Sequence, residues 1–114
     1  MNNSVLLTIA SVVGIGVGQI LFKIASSKIN SDNLISSIAF NIPLLAALII
    51  YGFSTLIWII ALRGAPLSKL YPLFALAFIF VPVLESIVFK SDLKTSSLLG
   101  GGVIVLGVWI ALKG

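Results

Sequence analysis

Four times along its length the chain runs for roughly twenty residues with almost no charge, and crossing the hydrocarbon of a bilayer as an α-helix takes about 20 such residues. The stretches lie at residues 5–25, 42–62, 66–89 and 96–112, and little chain is left between them. Composition agrees: 60% of the 114 residues are apolar and 9% are charged, where a soluble domain is nearer half and a quarter. A chain this short cannot hide so much apolar surface inside one core. The expected fold is therefore an all-α integral membrane domain of four transmembrane helices.

The same composition excludes most chemistry. Cysteine is absent, which removes disulfides, thiolate catalysis and cysteine metal sites. Histidine is absent too, and with it the commonest general base and metal ligand. Only Asp32, Glu85 and Asp92 carry carboxylates, so no enzyme, cofactor or metal centre is expected. The net charge of +4 is spread thinly with no basic run, which argues against nucleic acid as a partner. In a membrane protein, positive charge instead marks helix ends or an anionic ligand.

The connections are short. Residues 63–65 and 90–94 force their neighbouring spans to be antiparallel, whereas residues 26–41 include a mildly apolar stretch, 34–40, suited to the membrane interface. Pro43 fits the first turn of the second span, where its missing N–H costs nothing. No Lys or Arg precedes the first apolar stretch and Lys23 follows it, the reverse of a cleaved signal peptide. Lys23, Lys28, Lys90 and Lys94 fall on one side, and Arg63, Lys69 and Lys113 on the other. Four against three is nearly balanced, and three against three if Lys23 lies within the bilayer, so orientation is left open. The chain either takes a single topology or inserts both ways and pairs with an inverted copy of itself.

Polar groups inside such spans need a reason, because a charge at mid-membrane costs about 2.5–3.5 kcal/mol on insertion scales. Gln19 and Lys23 share a face of the first span. They either line a polar groove or, for Lys23, reach out to the interface. Gly14 and Gly18 form a small-xxx-small pair on a neighbouring face, which permits a close helix approach. In the third span Tyr71, Ala75, Phe78, Pro82 and Glu85 fall at helical spacing. Pro72 and Pro82 each remove a backbone donor, so this helix can bend or expose a carbonyl. Glu85 is either a polar contact of the groove or the ion-pair partner of Lys23. Arg63 and Lys69 bracket the second connection and suit either a phosphate or ordinary lipid headgroups. Tyr51, Thr55 and Trp58 on the second span read as packing before they read as a sugar platform. The fourth span has no charge before Lys113, and Gly100 and Gly107 share one face of it, as at a helix–helix contact. Four short spans with one polar groove suggest half of a transporter, because many transporters place the substrate site between two inverted halves.

Two segments carry a resemblance. Gly18-Gln19-Ile20-Leu21-Phe22-Lys23, and Ala65-Pro66-Leu67-Ser68-Lys69-Leu70-Tyr71-Pro72-Leu73, resemble the small multidrug resistance-like branch of the drug/metabolite transporter superfamily. The glycine spacing of the fourth span is similar to that family's dimer-forming helix. Its multidrug exporters carry a glutamate eight residues before the lysine matching Lys23, and here that position is Ile15. The chain looks more like the family's lipid-sugar members, the aminoarabinose-phospho-undecaprenol type flippase subunits. That resemblance implies a flippase for a polyprenyl-phosphate monosaccharide in the bacterial inner membrane. It also implies an antiparallel homodimer, or a heterodimer with a paralogous subunit. Lys23, Arg63 and Lys69 would then meet the phosphate, Gln19, Tyr71 and Glu85 the sugar, and Gly100 and Gly107 the second subunit. A proton-coupled exporter of small cationic or amphipathic compounds, using Glu85, is the first alternative. An accessory subunit of a heteromeric transporter is the second.

Overall fold

The computed structural model describes residues 3–113. Helix α1 (Asn3–Ser26) leads through a 3₁₀ turn (Ser31–Asn33) into the short helix α2 (Leu34–Ala39), and α3 (Ile42–Leu62) runs back. The third span is composite: a helical turn α4 (Leu67–Leu70), a 3₁₀ segment (Tyr71–Leu76) and α5 (Ala77–Phe89). Helix α6 (Thr95–Lys113) follows. Four units, Asn3–Ser26, Ile42–Leu62, Leu67–Phe89 and Thr95–Lys113, are long and apolar enough to cross a membrane. The described residues contain no strand.

One asparagine joins the first two spans. Asn41 caps α3 by accepting a hydrogen bond from the Leu44 N–H (3.2 Å), with Pro43 in the first turn. Its Nδ2 donates to the Ala25 carbonyl at the end of α1 (2.9 Å). Asn41 is buried, so two groups left over at helix ends are satisfied without water. Between these ends α2 projects with Ile35 and Phe40 more than four-fifths exposed, as an interfacial stretch would.

Helices α1 and α3 meet along small residues. Ser4, Thr8 and Ser11 are buried on α1, and the Ser11 hydroxyl donates to the Ser54 carbonyl of α3 at 2.7 Å. Thr8 donates to the Ser4 carbonyl one turn back, also at 2.7 Å. A methyl group at Gly14 would run into Ser54, and one at Gly18 would touch the Tyr51 ring. Lipid tails give helices no hydrophobic reason to associate, so this closeness and the hydrogen bond supply the attraction. Past α3, a methyl at Gly64 would strike Ser4, which puts the start of α1 beside the second connection.

The other two spans pack differently. Pro72 sits in the first turn of the 3₁₀ segment, and Pro82 lies inside α5. Helix α6 rests on this span through Gly101, where an added Cβ would lie 2.6 Å from Ile79 Cγ1. Lower down, Val108 joins Ala61, Leu70 and Leu73 in the one buried apolar cluster described. The molecule measures 51 × 36 × 19 Å. With helices about 10–12 Å across, it is a slab two helices thick, which leaves wide apolar faces. Gly100 and Gly107 lie on such a face, with open space where their side chains would be.

Candidate functional site

A cleft of about 400 Å³ opens between α1 and the third span. Ile15 and Gln19, one helical turn apart, form one wall, and Phe74, Ala77, Phe78, Val81 and Pro82 form the other. Gly16 makes the approach possible, because any side chain there would collide with the Phe80 ring. Consecutive spans alternate in direction, so α1 and the third span run parallel, and Gln19 and Pro82 sit at similar depth along them. Gln19 is the single polar side chain of the lining. Among the described residues its amide makes no hydrogen bond, which leaves it available to a ligand. Small-molecule sites are mostly apolar clefts with a few placed polar groups, and this cleft has that form.

The six candidate residues separate into three groups. Arg63, Lys69 and Tyr71 lie at the end of the second connection, all exposed. There the Tyr71 ring stands 5.8 Å from Phe74, and Phe74 meets Trp58 edge-on at 4.6 Å, so an aromatic row leads from this end into the cleft. Gln19 lies in the cleft itself. Lys23 and Glu85 lie toward the opposite end, both exposed, and no ion pair joins them. Neither lines the cleft.

The stripe read at uniform helical spacing is altered by the 3₁₀ segment. Phe78 and Pro82 line the cleft as that spacing places them, but Phe74 stands where Tyr71 and Ala75 were expected. At three residues per turn, Tyr71, Phe74 and Ala77 eclipse one another. Ala75 is thereby turned toward the buried cluster. Pro72 was the available signal, since a proline there disfavours a continuous α-helical ladder. Ser54 and Thr55 hold no free hydroxyl row for a sugar either: Ser54 is buried against α1, and Thr55 donates to the Tyr51 carbonyl at 2.9 Å.

Comparison with known proteins places the chain. It is 33% identical over 123 aligned positions to the "Probable 4-amino-4-deoxy-L-arabinose-phosphoundecaprenol flippase subunit ArnF" of Proteus mirabilis, covering 96% of this chain and 92% of that protein. The chain belongs to this flippase-subunit family. The ArnF relative of Erwinia tasmaniensis is 31% identical over 95% of this chain and 96% of its own length. That of Yersinia enterocolitica is 29% identical over 90% and 88%. No protein-family model matches the chain, and no solved structure does. The four apolar helices and this family membership together make it a multi-pass membrane protein.

Proposed function

We propose that this chain moves a polyprenyl-phosphate monosaccharide, of the 4-amino-4-deoxy-L-arabinose type in its relatives' names, between the leaflets of the bacterial inner membrane. The observation that carries the reading is the cleft between α1 and the third span: apolar, open to one side, and holding one free amide. A lipid-linked sugar has a hydroxyl-rich head that must cross about 30 Å of hydrocarbon, whereas its tail can remain in the bilayer. A lateral cleft meets that need, because the head enters it while the tail trails into lipid. Arg63 and Lys69 at one mouth offer charge-assisted donors to the phosphodiester. Tyr71 and the row behind it offer flat apolar surface to the sugar's C–H faces, and Gln19 offers a donor and an acceptor inside. Lys23 and Glu85 serve the opposite mouth, where the departing head meets a cation for its phosphate and an acceptor for its hydroxyls.

The cleft lining carries a single polar side chain, and the slab leaves the Gly100 and Gly107 face of α6 uncovered. Both features support a working unit of two copies. In an inverted pair, Gly100 and Gly107 let the two α6 helices approach closely. Such a pair would have the small multidrug resistance-like architecture that the sequence resembles. A heteromeric unit is the second reading, and the relatives' description as subunits favours it. The exporter reading loses support, because Ile15 puts an alkyl group in the cleft and Glu85 lies outside it.

The test is flipping by the purified chain in liposomes loaded with a polyprenyl-phosphate aminoarabinose, followed with a membrane-impermeant amine reagent. Modification rising from about half of the lipid, the exposed leaflet, toward all of it is the expected result. A plateau at half, with proton-linked efflux of a cationic dye, would replace the flippase with the exporter. A plateau with neither activity, relieved by co-reconstitution with a paralogous subunit, would establish the heteromer.

A further inference from the structure

The cleft contains a second polar group that no side chain supplies. Pro82 lies inside α5 and lines the cleft, as does Phe78 four residues before it. In an α-helix the carbonyl of residue i accepts from the N–H of residue i+4, so a proline at 82 leaves the Phe78 carbonyl without that donor. Both residues line the cleft, so this carbonyl lies on the turn of α5 that forms its wall, one turn before the proline ring. Serine hydroxyls often repair such breaks in membrane helices. Ser86, the one hydroxyl on α5, instead donates to the Val83 carbonyl at 2.7 Å. The opposite wall presents the free amide of Gln19 at similar depth. The lining holds no carboxylate and no cation, so a ligand group there meets only neutral oxygens and the amide N–H.

We infer that the Phe78 carbonyl, freed by Pro82, and the Gln19 side-chain oxygen form an acceptor pair that holds an ammonium group on the sugar head as it crosses the cleft. The inference rests on the flippase reading and adds a recognition element to it. Carbonyl dipoles suit a cation in passage. An interrupted membrane helix holds cations on its unwound carbonyls without the deep well that a buried carboxylate would create. A hydrogen bond to a charged group contributes about 1.5–3 kcal/mol, a preference of roughly tenfold or more for the free amine over an acylated one.

The experiment compares two lipids in the wild type and in Pro82→Ala, which restores the N–H at position 82. One lipid carries the free amino sugar and the other its N-acetyl derivative, each followed by a membrane-impermeant periodate assay of head exposure. The wild type is expected to flip the free amine at least tenfold faster. In Pro82→Ala that ratio should collapse toward one, whatever the change in the N-acetyl rate itself, and Gln19→Leu should reduce the ratio in the same direction. The N-acetyl rate also reports folding. A proline acting only as a hinge would slow both lipids equally and keep the ratio, which overturns the inference but leaves the flippase reading standing. Equal wild-type rates on both lipids would overturn it in the same way. Loss of both activities in Pro82→Ala, with the helical spectrum intact, would also overturn it. No flipping of either lipid by the wild type, alone or co-reconstituted with a paralogous subunit, would remove the flippase reading together with the inference.

Discussion

The two halves of the chain solve the same packing problem in opposite ways. Between α1 and α3 the contact is close and polar at its centre: Ser4, Thr8, Ser11 and Ser54 are buried, glycines lie opposite side chains, and Asn41 ties the two ends together. Between the third span and α6 the contact is sparse. Helix α5 buries none of its residues, α6 buries Gly101 and Val108, and two prolines interrupt the ladder of the third span. The difference assigns a role to each half. In the proposed flippase the close-packed pair would serve as the fixed wall, and the sparsely packed, proline-interrupted span facing it as the wall that moves. The cleft lies on the boundary between the two.

Substitutions at matched glycines should break the comparison most visibly. Gly14→Leu is expected to abolish folding, and Gly14→Ala to cost about 1–3 kcal/mol in detergent unfolding, as overpacking does. Gly107→Ala, with open space around it, should stay within about 0.5 kcal/mol while weakening self-association. Equal costs at the two glycines would show that the halves are not packed differently.

Next in size is Ile15→Glu, which places a carboxylate in the cleft at about 2.5–3.5 kcal/mol on insertion scales. Flipping of the anionic lipid should fall more than tenfold in protein that still inserts. An unchanged rate would mean that the phosphate never passes Ile15. Replacing Arg63 and Lys69 together by Ala should raise the apparent KM for lipid about tenfold, with a smaller change in kcat, if these cations capture phosphate at the mouth. The smallest effect is expected at Ser11→Ala. It loses the bond to the Ser54 carbonyl and, by the average for membrane-protein hydrogen bonds, about 0.6 kcal/mol.

Length and hydropathy were enough to read the spans, because a bilayer accepts few alternatives. Ile42–Leu62 coincides with the stretch marked out by apolar run and proline position, and the Gly14–Gly18 pair predicted the close approach that α3 makes. The site was harder to read. Gln19, Phe78 and Pro82 were legible as a groove, but Phe74 was not, since a uniform 3.6-residue period cannot register six residues of 3₁₀ helix. The ends to which the charged residues belong were legible from the alternation of the spans: Lys23 and Glu85 lie at the opposite end of the slab from Arg63 and Lys69. Linear spacing did not convey that neither Lys23 nor Glu85 lines the cleft. Nor does a single sequence contain the second half of a transporter.

The most direct test asks what the substrate head touches between the leaflets. A polyprenyl-phosphate sugar with a photoreactive group on the sugar, illuminated during turnover in membranes, can be mapped by mass spectrometry to the residues it labels. Labels on Ile15, Gln19, Phe78 and Val81 are the expected result. Labels confined to the outer face of α3, at Leu48, Phe53 and Leu56, would contradict passage through the cleft.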